Sequence, residues 1–82
     1  MASINTTKEN PVQEYMQLIN RMDELVNKFN ADKATVAPEK VASLDERMED
    51  IGVIRAQLVT KVKQSGISRE ILDETRRLLS IF

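Results

Sequence analysis

The stretch Val41–Gln64 constrains the fold most. It contains no proline, and Val41, Leu44, Met48, Ile51, Leu58 and Val62 recur at steps of three, four, three, seven and four. Those steps put one apolar stripe on a single helix face. Such a helix needs neighbours to cover the stripe. Its charges are sorted by end, with Asp45, Glu46, Glu49 and Asp50 in the first half and Arg55, Lys61 and Lys63 in the second. Acid near a helix N-terminus and base near its C-terminus complement the backbone dipole. The acidic group is also a candidate docking face.

In chain order, residues 1–9 are polar, contain Thr6 and Thr7, and are expected to form a flexible tail. Asn10-Pro11-Val12-Gln13 then reads as a helix start, with asparagine at the cap and proline where its missing N–H costs nothing. Val12, Tyr15, Ile19, Met22, Val26 and Phe29 follow at alternating steps of three and four, with Met16, Leu18 and Leu25 on the flanks. That stripe is wide enough for two neighbours. Asn30 to Ala37 loses the period, Pro38 belongs in a first helical turn, and Thr35 is the expected cap. Gly66 can take the positive φ that closes a helix in a Schellman-type end, Ser68 can cap the next one, and Ile67 between them can touch both. The last helix is expected to align Ile71, Thr75, Leu78 and Phe82, with Leu72 and Leu79 beside them and Asp73 paired to Arg77 one turn on. Gly52 inside the central helix reads as a tolerated surface glycine or a close backbone approach.

The expected fold is therefore all-α: a small three-helix bundle, or a helical hairpin plus a short third helix. The helices are placed at about 11–30, 38–65 and 68–81, in a single domain over residues 10–82. A chain of 82 residues buries only about 60% of its unfolded surface, so contact with a partner would add stability.

Composition narrows the chemistry. There is no cysteine, histidine or tryptophan, and the aromatics are Tyr15, Phe29 and Phe82. Disulfides, thiol or histidine catalysis and Cys/His zinc sites are excluded. Asp45, Glu46, Glu49 and Asp50 lack the alternating acids and central glycine of a calcium loop. No metal, cofactor, small-molecule substrate or enzymatic activity is expected. A net charge of −1 supplies no field for nucleic acid or a membrane surface. No apolar run approaches a membrane span or a signal peptide core, so a cytoplasmic protein is expected.

The expected function is a non-enzymatic protein–protein interaction or assembly module that presents amphipathic, coiled-coil-like helical faces to a partner protein or to itself. Seam residues Val12, Ile19, Met22, Val26 and Phe29 should turn inward. The candidate protein-binding residues are Tyr15, Met16, Leu18 and Leu25 on the first helix and Leu78, Leu79, Ile81 and Phe82 at the end of the last. Ser65-Gly66-Ile67-Ser68 between two helices is similar to the turn of a helix-turn-helix DNA-binding motif. In the would-be recognition helix, however, Glu70, Asp73 and Glu74 balance Arg69, Arg76 and Arg77, which leaves no net positive charge for phosphates. A polar tail, a helix, the loop Ala37-Pro38-Glu39 and a long helical segment running to apolar Leu78-Leu79-Ser80-Ile81-Phe82 resemble the layout of type III secretion needle subunits. That resemblance implies a subunit of a helical filament.

Overall fold

The computed structural model describes residues 10–82, and the expected tail over residues 1–9 lies outside the described residues. The fold is all-α: three helices and, among the described residues, no strand. Helix α1 spans Pro11–Lys33, α2 Pro38–Ser65 and α3 Arg69–Leu79.

Each helix start follows from local chemistry. The Asn10 carboxamide oxygen accepts the N–H of Val12 at 3.1 Å and that of Gln13 at 3.3 Å, and Pro11 follows in the first turn. The Ser68 hydroxyl accepts the N–H of Ile71 at 3.3 Å. At α2 the expected cap is corrected. Ala37 holds the cap position with no side-chain bond, and Thr35 Oγ1 donates to the Asp32 carbonyl at 3.1 Å. Thr35 therefore helps to finish α1 instead of starting α2.

Helix α1 also runs past the expected Asn30, through Ala31, Asp32 and Lys33, so the link to α2 shrinks to residues 34–37. The apolar period ends before the helix does, because alanine and lysine favour helix without needing a core to enter. At the second junction Gly66 has φ 83° and ψ 177°, and its N–H donates to the Val62 carbonyl at 2.8 Å. This region of the backbone map is essentially restricted to glycine. The ψ differs from that of a left-handed helical residue, so the chain leaves α2 extended and Ile67 is laid half-buried against the core.

The corner sends α3 antiparallel to α2 and so alongside α1 in the same direction. Glu14 near the start of α1 meets Arg69 near the start of α3, and the Phe29 and Phe82 rings, near the far ends, lie 6.3 Å apart at 60°. The core is Leu18, Met22, Leu25 and Phe29 from α1, Ile51, Ile54 and Leu58 from α2, and Leu72 and Leu79 from α3. Full burial of side chains such as Met22, Ile51, Leu58 and Leu72 stabilises by about 1.5–3 kcal/mol each. Thr75 is also buried, and its hydroxyl donates to the Ile71 carbonyl at 2.9 Å, so no polar group is stranded there.

The inward line on α1 differs from the expected seam. Leu18 and Leu25, placed on the flanks by sequence, are buried, whereas Ile19 and Val26 are half-buried and Val12 is 54% exposed. Two neighbours explain the shift: the most enclosed line on α1 is the one facing the gap between α2 and α3, not the one facing α2 alone. On α3 the same geometry buries Leu72, Thr75 and Leu79 and leaves Leu78 exposed.

Ion pairs cross every helix boundary. Lys33 meets Asp45 at 2.7 Å, Arg55 pairs with Asp23, and Lys61 donates to Glu74 at 2.9 Å. Asp73 pairs with Arg76 at 3.0 Å and Arg69 at 3.6 Å rather than with Arg77, because both arginines gather on the α3 flank that faces Glu14.

Candidate functional site

Helix α3 is tied to one flank of α1 by Glu14. Both Glu14 oxygens accept from the Arg69 guanidinium at 2.6 Å, and Oε1 also accepts from Arg76 at 2.7 Å. The hydrogen bonds from Arg69, then those from Arg76, pull the Glu14 carboxyl down to about 2. The Glu74 carboxyl is lowered by its hydrogen bond from Lys61.

The other side of α1 is open. Met16 stands two residues beyond Glu14, about 200° round the helix at 100° per residue, and so points away from α3. It is 59% exposed, at the mouth of a groove of about 260 Å³ between α1 and α2 lined by Tyr15, Met16, Ile19, Asn20, Arg55 and Val59. Tyr15, Ile19 and Val59 form its half-buried floor, and the Asp23–Arg55 pair closes the hairpin next to it. Val12, one turn before Met16, extends the apolar strip towards the start of α1. A groove with an apolar floor and few charges can take an apolar side chain or a helix edge. No group of three or more carboxylates able to hold a metal occurs among the described residues.

The eight residues expected to bind protein fall into three sets. Met16, Leu78 and Ile81 are exposed, Ile81 the most at 74%. Tyr15 and Phe82 are half-buried, Tyr15 in the groove and Phe82 against Phe29. Leu18, Leu25 and Leu79 are 6%, 4% and 6% exposed and belong to the core, so they are withdrawn from the contact face. The packing of α3 across α1 is what takes them. The open face thus divides into the α1–α2 groove and a second apolar tip, Leu78 with Ile81, where α3 ends.

Three exposed or groove-lining residues escaped the sequence reading: Val12, Val53 and Val59. The spacing of Val12 points it inward, yet it is exposed. Val53 and Val59 lie off the main stripe of α2, each next to a core residue (Ile54 and Leu58), where the periodicity of the stripe gives no signal.

Comparison with protein-family models, with curated proteins and with solved structures returned no match. No helix among the described residues is long and apolar enough to cross a membrane.

Proposed function

We propose that this protein is an interaction or assembly module that offers the α1–α2 groove to a protein partner. The observation that carries the reading is Met16, 59% exposed beside half-buried Tyr15, Ile19 and Val59. Methionine is unbranched and adapts its shape to an incoming surface, which suits it to a contact position. The arginines of α3 weigh against nucleic acid, since Arg69 and Arg76 are engaged by Glu14 and Asp73 instead of standing free for phosphates.

A photo-crosslinking residue at position 16, expressed in the native cell, tests this. It is expected to capture a protein, whereas the same residue at exposed Lys28 should not. Met16→Glu should abolish the function of the groove while leaving helix content intact and stability within about 0.5 kcal/mol, as for an exposed position. Absence of any protein adduct at position 16, or loss of folding in Met16→Glu, would overturn the reading.

A further inference from the structure

We propose that α3 is an exchangeable arm: α2 and α3 join through Gly66 into one helix, and two copies of the chain then trade α3, each docked on the α1–α2 hairpin of the other. The exchange goes beyond the groove reading and does not depend on it. Its basis is a phase relation between two helices that the corner separates. On α2 the buried residues are Ile51, Ile54 and Leu58, and on α3 they are Leu72, Thr75 and Leu79. Each member of the second set stands twenty-one residues after a member of the first, which is three whole heptads.

The non-helical backbone over residues 66–68 breaks the helical phase, so the folded monomer places no demand on it. The register matters only where the helix runs through. With 66–68 helical, residues 38–79 form one helix about 63 Å long at 1.5 Å per residue, and the six buried residues fall on one seam. An ideal helix drifts by about 20° per heptad, and the left-handed supercoil of two packed helices absorbs the drift. The seam positions between the two sets, Lys61, Ser65 and Ser68, are polar. Joining takes Ile67 from its half-buried place and Ser68 from its cap bond to Ile71, which keeps the closed monomer favoured at low concentration.

The exchanged arm meets the same surface that it covers in the monomer, which is why exchange of an element carries a low free-energy cost. Helix α3 runs antiparallel to α2 within one chain, so the joined helices of two copies also run antiparallel, related by a two-fold axis. Lys61 donates to Glu74 at 2.9 Å. The same pair formed between copies sets the axis beside residues 67–68, halfway between them. Arg69 and Arg76, which hold Glu14 within one chain, then reach the partner's Glu14. Each joined helix gives Ile51, Ile54 and Leu58 to the other's arm and Leu72, Thr75 and Leu79 to the other's α2. An antiparallel pair of this kind needs both sets on one face, and the twenty-one-residue spacing supplies it.

Gly66 is the switch between the two forms. At φ 83° and ψ 177° it occupies a region essentially restricted to glycine, and glycine is also a poor helix former, so both preferences favour the closed corner. Gly66→Ala reverses both. Arg69 offers the opposite control. It is the first residue of α3, and Ser68 before it is extended at φ −127° and ψ 157°, so Arg69→Pro fits the closed form. Inside a joined helix the same substitution would drive the proline ring into the Ser65 carbonyl and break the helix.

Light scattering of the full chain over a wide concentration range tests the proposal. The parent is expected to be a 9.4 kDa monomer that gives way to a dimer of twice that mass at high concentration. Gly66→Ala should tighten the dimer at least tenfold, and Arg69→Pro should abolish it while keeping helix content. Topology is read by placing Lys61→Cys and Glu74→Cys in one chain, which has no other cysteine, and joining the thiols of the isolated dimer with a short bismaleimide. An exchanged dimer is linked between copies and stays a dimer in denaturant, whereas a side-by-side dimer is linked within each copy and falls to monomers. A parent and a Gly66→Ala variant that are both monomeric at every concentration, a dimer that Arg69→Pro leaves intact, or a linked dimer that denaturant separates would each overturn the exchange. The groove reading, tested at position 16, stands apart from all three outcomes.

Discussion

The two halves of α2 carry equally regular apolar stripes and bury them very differently. In the first half Val41, Leu44 and Met48 are only half-buried, and no residue from Pro38 to Asp50 enters the core. In the second half Ile51, Ile54 and Leu58 are 1%, 9% and 1% exposed. The difference lies in the number of neighbours. Helix α3 has 11 residues and α2 has 28, so at 1.5 Å per residue α3 covers about 16 Å of a 42 Å helix. Beyond its end, α2 has only the last turns of α1 for company. Periodicity tells which face of a helix is apolar; the length of the third helix tells how much of that face becomes core.

The sharpest test compares one leucine from each half. Leu58→Ala, which empties a fully enclosed site, should cost about 2–5 kcal/mol in chemical unfolding. Leu44→Ala should cost less than half as much, because Leu44 is half-buried and its loss opens onto solvent instead of leaving a cavity. Equal costs would show that the first half of α2 is packed as tightly as the second. Native-state hydrogen exchange gives the same comparison without mutation: amides around Leu44 should exchange through local opening, and those around Leu58 only through global unfolding.

The corner that positions α3 comes next in size. Gly66→Val places a β-branched side chain at φ 83°, a region that costs on the order of 1–3 kcal/mol outside glycine. Nothing lies within 4 Å of the added Cβ, so the cost is backbone strain alone. The loss should fall mainly on the second half of α2, with α3 loosened and Ile51, Ile54 and Leu58 less protected in exchange. Unchanged melting of this variant would contradict the corner geometry.

Residues with a local code were legible in advance. Asn10, Pro11, Pro38, Gly66 and Ser68 each act on backbone within a few positions, and Asn10, Pro11, Pro38 and Ser68 act as expected; Gly66 takes the positive φ but an extended ψ in place of the left-handed one, and Thr35 does not cap α2. What escaped was the choice between adjacent stripes on α1. Leu18 and Leu25 alternate with Ile19 and Val26, and either set forms a good seam by spacing. Only the direction from which α3 arrives decides between them, and that depends on residues more than forty positions away. The same remoteness hid the salt links. Glu14 has no helical partner at three or four residues' distance, so nothing in its own segment announces Arg69 and Arg76. The contact face suffered most from this: Leu18, Leu25 and Leu79 looked surplus because each was judged on its own helix.

The smallest effect sharpens the comparison at its upper end, where Glu14 fastens α3 to α1. Its carboxyl is held at about 2 against an ordinary value of 4.5, so the folded state binds the proton more weakly than the unfolded chain. Stability from this group is therefore fully present above about pH 4.5 and is lost as the pH falls towards 2. The two guanidinium partners are about half exposed, with side-chain accessibilities of 49% and 52%. Solvent screening of such partners keeps the contribution at neutral pH modest. Glu14→Gln should thus lower the melting temperature slightly at pH 7 and, more tellingly, flatten its fall between about pH 4.5 and 2, bringing variant and parent together at the acid end. If the Glu14 variant instead falls as steeply as the parent, the cluster with Arg69 and Arg76 is not what secures α3.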